Sequence, residues 1–233
     1  MAQLFAGTSG FAYPAWKPGF YPAKLPSAKF LEHYATRLNA VEINYTFRRM
    51  PPATTLQNWH RQTAAPFLFA LKAHQRITHI FRLKNAGEAT EAFFRSIDPL
   101  RSARRLGPVL FQLPPNLKCD AGLLGEFLAL LPGDVRCAIE FRHASWFNDE
   151  IYALLEGRGV ALCLAESERI EAPKVFTAGF VYSRLRKPDY TVEDRAAIKA
   201  QARDLLAIGK DVYVFFKHEE TPDGALYAEE LLR

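Results

Sequence analysis

Short apolar runs bounded by turn residues alternate along this chain with stretches whose apolar residues recur at helical spacing. The runs at 4–8, 40–44, 67–72, 107–113, 136–142, 160–165, 179–185 and 211–216 predict eight strands. Between them, Ser27 is placed to cap a helix carrying Phe30, Leu31, Tyr34 and Leu38, and residues 54–62 form a shorter one with Leu56 and Trp59. Residues 88–105 read as helical, with a break expected at Asp98-Pro99, where a new N-cap and first-turn proline begin. Asp120 opens a leucine-rich helix to Leu131, and Asn148 opens another that Gly157 and Gly159 close. Residues 166–174 predict only a poor helix. Thr191 and Asp194 resemble a capping box for a helix running to Gly209, and Asp223 begins a last short helix.

About eight strand–helix units in 233 residues, with no low-complexity linker, predict a single domain over 1–233. Such a series builds a closed barrel or an open doubly wound sheet. Alternation within the strands separates the two, because successive side chains point to opposite faces. Glu42 and Asn44 share a face opposite Val41 and Ile43; Ala138, Glu140 and Arg142 share one opposite Ile139 and Phe141. Lys72 follows Ala70, Gln112 follows Leu110 and Arg184 follows Tyr182 in the same way. One face thus stays apolar to the end while the other turns polar at its carboxyl end. An open parallel sheet covered by helices is apolar on both faces. A barrel whose interior opens at one end explains the one-sided ending, so the fold expected is α/β, a single (β/α)8 TIM-type barrel, irregular in its later units. The longer strand-to-helix connections, 9–25 and 73–87, carry aromatic and basic residues on the face where such barrels place their sites.

The polar residues converging on that mouth are Glu42, Asn44, Lys72, Gln112, Glu140, Arg142, His143 and Arg184, with Lys217 and His218 after the last strand. A buried charge without a partner costs several kcal/mol, so these groups pair, face water or bind a ligand. A structural reading pairs Glu42 with Lys72 and Glu140 with Arg142. A functional reading makes Glu42, Glu140 and Lys72 acid–base candidates, His143 a proton shuttle, and Arg142 and Arg184 clamps for phosphate or carboxylate. Asn44, Gln112, Lys217 and His218 complete the substrate-binding set. In the 9–25 loop, Tyr13 and Trp16 form either a stacking wall for a base or sugar, or, with Tyr21, a staple across the barrel. A metal reading would draw on Glu42, Glu140, His143, Glu166 and His218. No H-x-H or H-E-x-x-H spacing supports it, and no metal is expected. Arg101, Arg104 and Arg105 read as a solvated helix face.

Composition narrows the partners. Hydrophobic residues make up 49% and charged ones 24%, ordinary for a globular protein. A net charge of +5 favours anionic partners, small molecules or nucleic acid. The three cysteines have no C-x-x-C spacing and read as reduced, consistent with a cytoplasmic location. No signal peptide is recognisable and no stretch approaches the roughly 20 apolar residues of a bilayer span, so no membrane partner is expected. The chain has no P-loop, no G-x-G-x-x-G after a strand and no G-x-S-x-G, so P-loop phosphotransfer, Rossmann cofactor chemistry and α/β-hydrolase chemistry are disfavoured and no cofactor is expected.

The segments GTSGFAYPAW, FYPAKLP, VEINYTFRRMP, FLFALKAHQRITH, GPVLFQLPP and AIEFRHASW, with FVYSRL and DVYVFF, run in order across nearly the whole chain. Together they resemble the domain of unknown function 72 family, the YecE-like proteins. The resemblance implies a TIM-type barrel and brings no catalytic residues with it. Two departures stand out against the family pattern. A His-Gly pair usually follows the seventh-strand arginine, where this chain has Leu185, Arg186 and Lys187; an Asn pair usually follows the eighth strand, where it has Lys217 and His218. The reading that follows is an enzyme acting on an anionic, phosphate-bearing substrate at the barrel mouth, by hydrolase or lyase chemistry with a general acid and base. A nucleic-acid-binding protein, with or without nuclease activity, and a non-catalytic barrel are the alternatives.

Overall fold

All eight predicted strands form in the computed structural model, which describes residues 1–166 and 170–233. They are β1 (Leu4–Thr8), β2 (Ala40–Ile43), β3 (Leu68–Lys72), β4 (Leu106–Gln112), β5 (Cys137–Glu140), β6 (Ala161–Ala165), β7 (Phe180–Leu185) and β8 (Asp211–Phe216). Every pairing is parallel, in the order β1-β8-β7-β6-β5-β4-β3-β2. The helices are α1 (Phe30–Ala35), α2 (Tyr45–Arg48), α3 (Ala53–Gln62), α4 (Gly87–Ser102), α5 (Ala121–Ala129), α6 (Asp149–Gly157), α7 (Val192–Ala207) and α8 (Asp223–Leu232). Side chains of Asp120, Asn148 and Thr191 accept the backbone N–H groups of Leu123, Ile151 and Asp194, and Thr191 with Asp194 forms the expected capping box.

The barrel closes between β1 and β2 largely through side chains. Among the described residues a single bridge, Ser9 to Glu42, joins these strands, with Gly10 N–H donating to Glu42 O at 2.8 Å. Below it, Asn39 accepts from Ala6 N–H and donates to Leu4 O, both at 2.8 Å, as a paired strand would. The Tyr34 hydroxyl accepts from Thr8 N–H at 2.8 Å and donates to Ala40 O at 3.1 Å. Gly7 lets the strands approach this closely, since a Cβ there would stand 1.8 Å from Ala40 O. Two separate cores result. Phe5, Leu110, Ala138, Tyr182 and Phe215 fill the barrel, whereas Phe111, Ile139 and Val181 face the helices. That is the predicted alternation.

Several predicted details differ. α4 continues through Pro99, because Ile97 and Leu100, both fully buried, carry its apolar face across the proline. Burying two such side chains, about 1.5–3 kcal/mol each, offsets the roughly 3 kcal/mol cost of an interior proline. β5 ends at Glu140, so Arg142 and His143 leave the sheet. There the Phe141 and Trp146 rings stack at 4.8 Å, Trp146 Nε1 donates to Leu117 O at 2.8 Å, and His143 caps the 3-10 turn Ala144–Trp146. Arg105 is buried, not solvated, donating to Phe67 O and Thr63 O at 3.3 Å each. The weak helix expected at 166–174 does not form among the described residues of that stretch; positions 167–169 lie outside them. The short helix α2 and the π-helix Arg76–Ile80 were not anticipated. Among the described residues, no helix is long and apolar enough to cross a membrane.

Candidate functional site

Five inward positions sit one period above apolar barrel residues: Glu42 above Ala40, Lys72 above Ala70, Gln112 above Leu110, Glu140 above Ala138 and Arg184 above Tyr182. They form one chain of contacts at the carboxyl-terminal mouth. Arg184 Nε and Nη2 grip both oxygens of Glu42 at 2.7 Å each, while Nη1 donates to Glu140 at 2.6 Å. Ser9 and Tyr182 hydroxyls also donate to Glu42, at 2.6 and 2.8 Å. Gln112 donates to Glu140 at 2.7 Å and accepts from Lys72 Nζ at 2.8 Å, which fixes the orientation of its amide. The anticipated pairs Glu42–Lys72 and Glu140–Arg142 do not form among the described residues; both carboxylates go to Arg184. An arginine presents several donors in a rigid fork, and a lysine cannot bridge two acids this way.

Electrostatics divides the site into two layers. Glu42, Glu140 and Arg184 are each 2% exposed or less. Burial alone would raise the pKa of Glu42, but the Arg184 charge and the hydrogen bonds from Arg184, Ser9 and Tyr182 together hold it below the usual value, so it stays ionised. Lys72 is the reverse case. Burial and the nearby Arg184 and Arg142 charges outweigh Glu140 and Glu42 and lower its pKa to about 8. Its ammonium lies 4.0 Å from the Phe47 ring centroid, and Phe47 packs edge-on against His79 at 4.9 Å. Among the described residues Lys72 forms no ion pair.

The remaining candidates spread around the rim. Arg142 is half-buried and lines one end of a broad cleft of about 1760 Å³ that runs beside the mouth between the ends of β6 and β7 and the face of α7. Arg186, two residues beyond Arg184, lines the same cleft and reaches to 3.6 Å from Glu140. Lys217 and His218 stand at the cleft's rim; Lys217 is 3.7 Å from Glu219, and His218 Nε2 is 3.0 Å from Pro188 O. Asn44 lies 3.4 Å from Glu42. His143 turns away from the network, its Nδ1 2.8 Å from the Ser145 hydroxyl. Tyr13 donates to Ser9 O at 2.9 Å; burial, then the charges of Glu219 and Glu42, push its pKa up to about 12. Trp16 is wholly buried between Tyr13, Phe20 and Tyr21, so it acts as the staple and presents no stacking wall. Among the described residues no three of His, Cys, Asp and Glu converge as metal ligands. Glu166 is engaged by the backbone N–H groups of Arg186 and Lys187 at 2.6 and 3.2 Å.

Phe47 and His79 are absent from the candidate set drawn from sequence, and Arg186 enters it only as a departure from the family pattern. The period that turned Tyr182 and Arg184 inward also points to Arg186. Phe47 and His79 sit on short helices that leave no periodic signal.

Parallel strands closed around a filled interior define a TIM-type barrel, and its polar network lies on the face where such barrels carry their sites. The chain belongs to the family described as Protein of unknown function DUF72, whose model matches residues 5–233. It is 29% identical to the UPF0759 protein YecE of Escherichia coli K12 over 215 residues, 90% of this chain and 75% of that one. It is 34% identical to the UPF0759 protein YunF of Bacillus subtilis 168 over 142 residues, 57% of this chain; the match spans about half, 49%, of that relative's length. A DUF72 family protein of Thermotoga maritima MSB8 superposes with a TM-score of 0.87 at 25% identity, covering 98% of this chain and 97% of the other.

Proposed function

We propose that the chain is an enzyme that binds a phosphate-bearing substrate at the barrel mouth, with Arg142 and Arg186 holding the anion and Lys72 transferring a proton. One observation carries the reading: Arg184 engages both buried carboxylates, and with Lys72, Arg142 and Arg186 the mouth sets four cations against Glu42 and Glu140, a net surplus of positive charge. Arginine forks suit phosphate oxygens. A lysine with a pKa of about 8 exchanges its proton near neutral pH, where an ordinary lysine does not. Glu42, held ionised by Arg184, belongs to the floor of the site; the proton chemistry moves to Lys72.

Thermal-shift titration with inorganic phosphate, phosphorylated small molecules and single-stranded oligonucleotides tests the reading. Small phosphorylated ligands should raise the melting temperature, and an Arg142→Ala/Arg186→Ala variant should abolish the effect. Stabilisation by oligonucleotides alone, falling steeply with salt, would replace it with a nucleic-acid-binding role. No stabilisation by any of them would favour a non-catalytic barrel.

A further inference from the structure

The environment of Lys72 goes beyond proton transfer. Its amine is held at two points, by Gln112 Oε1 at 2.8 Å and by the Phe47 face at 4.0 Å, at the partly exposed end of an inward strand position. The nearest acids are already committed: Glu42 and Glu140 each bond Arg184. Lys72 therefore sits beside cations, with no carboxylate among the described residues ion-paired to it. Lysines placed beside cations and apolar surface serve enzymes as amine nucleophiles toward carbonyl groups. Arg142 and Arg186 line the adjoining cleft, where an anionic group can be held.

Resting on the proposed reading of this site, we infer that Lys72 is a covalent nucleophile, and that the substrate class is a phosphorylated aldehyde or ketone bound as an imine. The Nζ lone pair attacks the carbonyl carbon and the C=O π pair moves to oxygen. Both amine hydrogens leave with that oxygen as water, and a C=N bond replaces C=O. The imine then takes up a proton from solvent to become a cationic electron sink. No redox partner is needed, since nothing is oxidised. The lowered pKa agrees with this role: at pH 7.5 about a quarter of the amine is neutral, against about one part in a thousand for a lysine at the ordinary 10.5.

The test uses the full chain and pyridoxal 5′-phosphate as a probe that joins an aldehyde to a phosphate, with unphosphorylated pyridoxal as control. Borohydride reduction fixes any imine, and peptide mass spectrometry locates it. The expected result is modification of Lys72 at least tenfold above any other lysine, suppressed by inorganic phosphate and much weaker with pyridoxal. Labelling spread evenly over the lysines would overturn the inference. Phosphate-dependent thermal stabilisation without a Lys72 adduct would also overturn it while leaving the anion-binding reading standing. Loss of both signals would remove both. Lys72→Met, checked for native circular dichroism, should lose the dominant adduct yet keep phosphate stabilisation; an unchanged adduct pattern in that variant would refute the assignment.

Discussion

Replacing Arg184 with methionine removes the guanidinium at the hub of the site and keeps an unbranched apolar stem. Three charge-assisted hydrogen bonds disappear, two to Glu42 and one to Glu140, and two buried carboxylates are left without their common cation. Breaking a buried ion pair by deleting one partner costs about 3–5 kcal/mol. For a chain of this size, each kcal/mol moves the melting temperature by about 2–4 °C, so Arg184→Met should melt about 6–20 °C lower. The effect should depend on pH in a definite direction. In the native protein the folded pKa of Glu42 lies below its ordinary 4.5. That linkage contributes stability present above 4.5, lost as pH falls through the folded pKa. In the variant, burial no longer meets a compensating charge, so the carboxyl pKa rises and protonation relieves the strain. The gap between variant and wild type should therefore be widest near neutrality and shrink on acidification. Urea unfolding followed by tryptophan fluorescence at several pH values measures both. Adding Glu42→Gln and Glu140→Gln to Arg184→Met should restore part of the loss, because the unpaired charges go with their partner. A loss under about 1 kcal/mol at pH 7, or a gap that widens in acid, would refute the assignment of Arg184 as a desolvated hub.

Two further outcomes follow from the same geometry. Tyr34→Phe should cost about 1–3 kcal/mol, because Thr8 N–H and Ala40 O lose their shared partner, and hydrogen exchange should show the Thr8 amide losing protection selectively. Lys72→Met should be more stable than wild type below pH 8, where the native lysine is a desolvated cation. The advantage should vanish as pH rises from about 8 to 10.5, since the unfolded chain then holds the proton that the folded one has shed. Denaturant unfolding at pH 7 and pH 10 checks it.

What the sequence disclosed and what it hid have one physical boundary. A two-residue period is local, so Glu42, Lys72, Gln112, Glu140 and Arg184 could be placed on the inner face from their neighbours alone. Which of them meet is a matter of register around a closed barrel. Arg184 on β7 reaches across the interior to β2 and β5, strands it does not pair with, and nothing local announces that. Arg142 reads as continuous with β5 because the run keeps its alternation; the Phe141–Trp146 stack that pulls the chain away is tertiary. Pro99 misled in the opposite sense, since a strong local breaker yielded to the burial of Ile97 and Leu100. Trp16 was open to two readings, and only its complete burial decides between them.

The departures from the family pattern gain meaning from this division into floor and rim. Glu42 and Glu140 both depend on Arg184, so replacing Arg184 alone strands two buried carboxylates. Residues at the rim carry no such constraint. At the end of β7, Glu166 accepts from the backbone N–H groups of Arg186 and Lys187, contacts that any non-proline residues there would make. The side chains at those positions are thereby released from structural duty. Arg186 turns its own toward Glu140 and the cleft, and Lys187 pairs with Asp194 at 2.9 Å. Lys217 and His218, the second departure, border the same cleft. Both substitutions therefore alter charge on one wall of one cavity and leave the buried floor untouched. A barrel built this way can change the charge lining this cleft without refolding its core. Ligand differences between this chain and its relatives should accordingly map to Arg186, Lys187, Lys217 and His218, while Arg184 substitutions should act through stability.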